Sequence, residues 1–197
     1  MLSEEQGEEI VKYTREVLEK HVRGEESPEA PEEDFFQERK GVFVTLKKKG
    51  ELRGCIGIPK PEYELGEAVK RAARSATDDP RFSSLREEEL DDTTVEVTVL
   101  TKPEKIEVGE PEEYLEKVEV GRDGLIAKRG LRQGLLLPQV PLEQDWEVEE
   151  FLEGVCRKAG LPVNAWKKTS TELLKFQGQV FGEKEPDGEP EERSLGS

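Results

Sequence analysis

Residues 52–57 read Leu-Arg-Gly-Cys-Ile-Gly, directly after the run Val42-Phe43-Val44-Thr45-Leu46 and the turn Lys47-Lys48-Lys49-Gly50-Glu51. The β-branched and aromatic run, the Gly-containing turn and the returning segment 52–58 together predict a β-hairpin. The hexapeptide sits badly in an ordinary strand, because each interior glycine adds chain entropy and offers no side chain to pack. Two of them, Gly54 and Gly57, imply a close approach to this backbone by another segment or by a ligand. A bulge or a close strand–helix contact satisfies the pattern. A Gly-x-x-Gly loop that cradles phosphate or clamps a nucleic-acid backbone is the alternative.

Outward from the hairpin, Leu65, Ala68, Val69, Ala72, Ala73 and Ala76 recur at helical spacing, giving a narrow face of small residues. Such a helix can lie close to what it covers, and Pro80 ends it. Upstream, Ser3 and Gln6 form a capping box for a helix bearing Ile10, Thr14, Val17 and Leu18, stopped at Gly24. Residues 24–33, with Pro28 and Pro31, read as a loop. Downstream, Thr94–Leu100 alternates as a half-buried strand, and Pro111–Val118 reads as a short helix. Strands at 124–128 and 135–137 flank the segment Arg129-Gly130-Leu131-Arg132-Gln133-Gly134. Asp145 is the expected N-cap of a helix over Trp146–Ala159, stopped by Gly160 and Pro162. Glu172–Phe181 reads as one final strand. The fold class is therefore α+β: a mainly antiparallel sheet flanked by helices, with a larger and a smaller lobe in one domain over 1–182. Residues 183–197, acidic and without apolar periodicity, read as a disordered tail.

Charge narrows the function classes. The 197 residues carry a formal net charge of −16, and 38 of the 46 acidic residues are glutamate. Phosphate contacts need cations, so this balance disfavours nucleic acid as a partner, although a local basic groove remains compatible with it. A Glu-rich surface interleaved with Lys and Arg fits adaptation to heat through ion-pair networks. A salty cytoplasm is the competing explanation. No apolar run reaches the ~18 residues of a membrane span. The N-terminus lacks the pattern of a secretory signal, and two distant cysteines suit free thiols, so a cytoplasmic protein is expected. Two Cys and one His give no zinc spacing, so no metal site is expected, and any cofactor is left open.

Four groups of residues could carry chemistry. Cys55 is a candidate nucleophile, and Arg53, two residues away on the same strand face, could hold its thiolate. Alternatively Cys55 is a small apolar residue packed against the Ala-rich helix. A Cys55–His21 dyad would use the single histidine, but no spacing ties the two together. Asp78, Asp79 and Arg81 at the helix end could present a carboxylate and a guanidinium, or an Asp pair for Mg²⁺. The competing reading is a turn held by Asx hydrogen bonds and an Asp–Arg pair. The basic, glycine-rich hairpin of Arg122, Asp123, Gly124, Lys128, Arg129, Arg132 and Gln133 could receive an anion or simply be a solvated face. Trp166 beside Lys167 and Lys168 could stack on a single-stranded nucleic acid, against which stands packing of the ring in the core.

The hexapeptide, Asp79-Pro80-Arg81-Phe82, Glu88-Glu89-Leu90, Glu96-Val97-Thr98-Val99-Leu100, Gly121-Arg122-Asp123-Gly124-Leu125, Leu136-Leu137-Pro138-Gln139-Val140 and Gly160-Leu161-Pro162 with Trp166 occur in one order. In this the chain resembles the AMME chromosomal-region candidate-gene family, known in prokaryotes as protein A of the AmmeMemoRadiSam system, over residues 7–182. The resemblance implies an α+β fold of a larger and a smaller lobe, and a setting alongside Memo-like and radical-SAM proteins. It supplies no settled activity, and any cofactor is left open. Its motif covers Arg53, Gly54, Cys55, Asp79 and Arg81. With Gly57 these are the expected site, Cys55 as the catalytic candidate and the others for binding. Two functions are expected to compete. One is an enzyme-like or accessory protein with a cleft around Arg53-Gly54-Cys55 and Asp79/Arg81. The other is a regulatory binding module for a nucleotide, RNA, small molecule or partner protein, in which Cys55 is only structural.

Overall fold

The computed structural model describes residues 1–193. In chain order the elements are α1 (Glu4–Val22), α2 (Asp34–Gln37), β1 (Val42–Lys48), β2 (Glu51–Ile58), α3 (Leu65–Thr77), β3 (Thr93–Leu100), β4 (Glu104–Lys105) and α4 (Tyr114–Lys117). They continue as β5 (Gly124–Arg129), β6 (Arg132–Leu136), α5 (Gln139–Glu143), α6 (Val148–Lys158), β7 (Glu172–Phe176), β8 (Gly178–Glu183) and β9 (Pro190–Arg193). The expected α+β class with antiparallel sheets flanked by helices holds. The described chain divides into two compact units, residues 1–100 with 179–193, and residues 101–178.

The first unit carries a five-stranded sheet of order β2-β1-β3-β8-β9. The alternation of β1 and β3 sends Val42, Val44, Leu46, Val95, Val97 and Val99 to one face, where α1 and the Ala face of α3 cover them. The predicted capping box of Ser3 and Gln6 opens α1. Arg15 of α1 is buried and meets the buried Glu183 of β8 in a two-bond ion pair, with its Nε donating to Oε1 at 2.8 Å.

The second unit carries a sheet of order β4-β7-β5-β6, on which α6 packs through Phe151, Leu152 and Val155. Its helix begins later than expected. Glu147 and Glu150 form the capping box of α6, while Asp145 takes a left-handed φ of 54° and cannot be the N-cap. The single strand expected over 172–181 is two, β7 and β8, in different sheets. At the break, the Gln177 N–H donates to Thr101 Oγ1 and the Thr101 N–H to the Gln177 carbonyl, both at 2.8 Å. The expected disordered tail is also corrected. Residues 190–193 form β9, paired antiparallel to β8 from Glu183↔Pro190 to Val180↔Arg193. Charged side chains do not prevent a strand whose backbone completes a ladder; Arg193 faces Glu96 at 3.7 Å. Residues 194–197 of that expectation lie outside the described residues.

Candidate functional site

β2 is the edge strand of the first sheet, and the hexapeptide lies in it. Its register with β1 runs Ile58↔Val42 to Gly54↔Leu46, then slips to Leu52↔Lys47. Arg53 is the extra residue of a β-bulge, which kinks the strand and re-aims its side chain. The two glycines answer two different neighbours. A Cβ on Gly54 would lie under 3.0 Å from the Ala76 carbonyl oxygen of α3, so this glycine lets the small-residue helix touch the strand. A Cβ on Gly57 would strike the Phe43 ring of β1 instead. Gly54 therefore faces the helix, while Cys55 and Gly57 project to the opposite face, as strand alternation requires.

This overturns the expectation that Cys55 packs on the Ala-rich helix. Its thiol lies half-buried beside Thr45, whose hydroxyl donates to Sγ at 3.3 Å. Nor does Arg53 hold it. The Arg53 guanidinium grips Glu89 with two bonds, Nε to Oε1 at 3.1 Å and Nη2 to Oε2 at 3.0 Å, and also donates to the Ser83 and Ser84 carbonyls. Glu89 is buried, and Lys48 Nζ reaches it at 2.9 Å. The bond from Arg53 outweighs burial and, with Lys48 and the Arg86 N–H, holds the Glu89 carboxyl down at about 2. Arg53 is thus a staple between the bulge and the segment 83–89.

Asp79 forms the second half of the clasp. Its carboxylate is 1% exposed and accepts the Cys55 N–H at 2.9 Å, the Arg81 N–H at 3.0 Å and two bonds from the Arg81 guanidinium. Arg81 Nη2 also donates to the Cys55 carbonyl at 3.2 Å. Chiefly because of the bonds from Arg81, the Asp79 carboxyl lies well below the usual carboxylate range. The Phe82 ring lies about 6 Å from both guanidiniums. The turn reading of Asp79-Pro80-Arg81 holds, and the Mg²⁺ pair does not. Asp79 has spent its oxygens on backbone and guanidinium, while Asp78 turns to His21, 3.3 Å away. His21 is accordingly engaged with Asp78, whereas the thiol's hydrogen-bond partner is Thr45. Among the described residues no three His, Cys, Asp or Glu side chains converge to hold a metal.

Beside the clasp, between the Ile56–Lys60 backbone and α3, lies a groove of about 860 Å³. Ile56, Ile58 and Tyr63 supply apolar lining, Lys60, Arg71 and Arg74 its cations, and Glu62 and Asp78 its carboxylates. Arg71 lies over the Tyr63 ring at 4.3 Å and bonds Glu67 at 2.5 Å. Among the described residues Arg74 and Lys60 have no acidic partner, although the chain is rich in acid. Sequence reasoning missed these groove residues. The available signal was Arg71, Arg74 and Asp78, spaced three and four apart along the polar side of the Ala-faced helix.

In the second unit the other expected sites resolve into structure. Arg122 pairs with the fully buried Asp123, Arg129 donates to Thr171, and Arg132 donates to the Gly160 carbonyl, so these cations do not converge on an anion. Burial alone would raise the Asp123 carboxyl, but Arg122, the Glu119 N–H and Gln177 hold it below its ordinary value. Trp166 is 2% exposed and packed edge-on to Tyr114, which excludes it as an open stacking platform. Cys156 is fully buried, and desolvation pushes its thiol up.

Fold and site together define a class: two α+β units, one with an edge-strand hexapeptide locked to a helix end by paired Arg–carboxylate clasps. Comparison with known proteins places that class. The AMMECR1 family model matches residues 11–181, and the chain belongs to this family. It is 50% identical over 185 residues to a protein of Methanothermobacter thermautotrophicus, covering 92% of this chain and 96% of that one. It is 47% identical to protein MJ0810 of Methanocaldococcus jannaschii, covering 99% and 98%. The crystal structure of protein PH0010 from Pyrococcus horikoshii superposes with a TM-score of 0.83 at 44% identity, covering 98% and 99%. These relatives are archaeal and come from thermophiles. Among the described residues no helix is long and apolar enough to cross a membrane.

Proposed function

We propose that the protein is a binding module that receives an anionic ligand in the groove between β2 and α3, with the hexapeptide as the clasp that shapes the groove wall and Cys55 as a structural residue. The observation that carries this reading is the pair of cations without acidic partners, Arg74 and Lys60, retained at one groove of a chain of net charge −16. Other arginines also lack a carboxylate, Arg39 and Arg132 bonding backbone carbonyls instead; Arg74 and Lys60 differ in lining one groove together. Glu62 and Asp78 line the same groove, Asp78 being engaged with His21; two cations left without a carboxylate partner beside a concave, partly apolar wall suit a ligand that brings its own negative charge. The clasp residues do not compete for that role, since Arg53, Asp79 and Glu89 are already paired.

The enzyme-like reading centred on Cys55 has less support, because the thiol's neighbours are Thr45 and a backbone clasp rather than a base. An accessory role alongside Memo-like and radical-SAM proteins is compatible with a module that binds, and co-purification of the tagged protein with them tests it. Two free thiols fit work in the cytoplasm, and the acidic, ion-paired surface fits a hot one. Isothermal titration with citrate and with pyrophosphate tests the groove. Saturable heat that survives Cys55→Ser and disappears in Arg74→Glu is expected. Binding lost in Cys55→Ser but kept in Arg74→Glu would overturn the assignment.

A further inference from the structure

We infer that the ligand of this groove is an acidic peptide in extended conformation, which adds to the sheet at the open edge of β2 by pairing with Gly57. The inference rests on the groove reading above and gives it a ligand class.

The backbone supplies the first reason. The Cys55 N–H and carbonyl both bond to the Asp79–Arg81 pair, so both point away from β1. In an antiparallel ladder, residues that point outward alternate. Gly57, two residues on and opposite Phe43, therefore presents its own N–H and carbonyl at the edge. Among the described residues neither group has a hydrogen-bond partner. The edge is closed on one side by the clasp at Cys55, and it ends on the other at Pro59, which has no N–H. One residue of open edge remains, enough to exchange a pair of hydrogen bonds with one residue of an incoming strand. Natural sheets usually guard such edges. This one is guarded up to Gly57, and Gly57 itself opens on the groove.

The second reason is size and charge. A groove of about 860 Å³ exceeds what a lone inorganic anion fills, and it runs alongside the strand edge from Ile56 to Lys60. Side chains of an extended peptide recur on one face about every 7 Å, twice the rise of ~3.3 Å per residue. Acidic side chains on the face toward α3 could thus meet Arg74 and Lys60, while the alternate ones project to the opposite face. Backbone bonds would supply affinity and these side chains the selectivity, the usual division in strand addition.

Fluorescence anisotropy on the full chain tests this with a labelled six-residue peptide of alternating Glu and Val, blocked at both ends. Two further peptides carry backbone N-methyl groups on the Glu residues or on the Val residues. The parent should bind saturably and lose about tenfold or more with Arg74→Glu. N-methylation of one set should weaken binding about three- to tenfold, and of the other set should not, because only alternate N–H groups face the edge. If both methylated peptides bind like the parent, strand addition is overturned and the anion groove stands. If citrate or pyrophosphate binds and the parent peptide does not, the peptide class is overturned. If none of the three probes binds, the groove reading falls with it.

Discussion

Gly54→Ala should destabilise the protein, against the ordinary sign of that substitution. Where a glycine has no special φ and open space, alanine stabilises by about 0.4–1 kcal/mol, because the unfolded chain has less entropy to lose. Gly54 is not among the positive-φ glycines, so backbone strain does not enter. Its methyl group would instead lie under 3.0 Å from the Ala76 carbonyl oxygen, a backbone atom that cannot swing aside. Ordinary packing needs about 3.5 Å, so strand and helix must part by roughly half an ångström or more. Overpacking of this kind costs about 1–3 kcal/mol. The same movement stretches the 2.9 Å bond from the Cys55 N–H to Asp79, a charged hydrogen bond worth about 1.5–3 kcal/mol. Set against the entropic gain, the net loss is about 2–4 kcal/mol, or roughly 4–16 °C in melting temperature for a chain of this size. Gly57→Ala is the internal comparison. Its methyl would meet the Phe43 ring, a half-buried side chain that can rotate, so its loss should be smaller. Denaturant titration of both variants, with calorimetry, measures the difference. A Gly54→Ala protein as stable as the parent, or more stable than Gly57→Ala, would refute the close-contact explanation of the hexapeptide.

The remaining predictions concern the clasps, the thiols and the last strands. Glu89 and Asp79 both have carboxyls held below their unfolded values, so their contribution to stability is present above about pH 4 and lost as pH falls toward 2. Glu89→Gln should therefore lower stability at neutral pH and flatten its decline between about pH 4.5 and 2, read from denaturant midpoints across that range; an unchanged slope would contradict the assignment. Glu183→Ala leaves the buried Arg15 without its partner and should cost about 3–5 kcal/mol, whereas Glu191→Ala at an exposed pair with Lys184 should cost under about 1 kcal/mol. Equal losses from the two would show that Arg15 is not truly sequestered. With iodoacetamide on the folded protein, peptide mass spectrometry should find Cys55 labelled before the fully buried Cys156. The reverse order would mean that the α6 core opens more readily than the hairpin.

Much of this molecule follows from local pattern. The alternation of 42–46 and 94–100, the Ser3/Gln6 capping box and the Ala-faced helix each place their element, because periods of 2.0 and 3.6 residues are properties of the backbone. The two glycines of the hexapeptide already demand a close approach, and the ordered motif blocks carry the family. Position along the chain does not reveal partnership in space. That Gly54 answers Ala76 while Gly57 answers Phe43, and that Arg53 turns to Glu89 rather than Cys55, depends on a one-residue bulge and on contacts 14 to 36 residues distant. The segment 172–181 carries Leu174, Phe176 and Val180 at one parity and no obvious stop, so only the bonds between Gln177 and Thr101 reveal that it serves two sheets. β9 is polar enough to read as solvated tail, and becomes a strand because β8 offers it a ladder. The groove cations were each visible as a letter. Their lack of acidic partners, and the open backbone of Gly57 beside them, are facts of the assembled sheet edge alone.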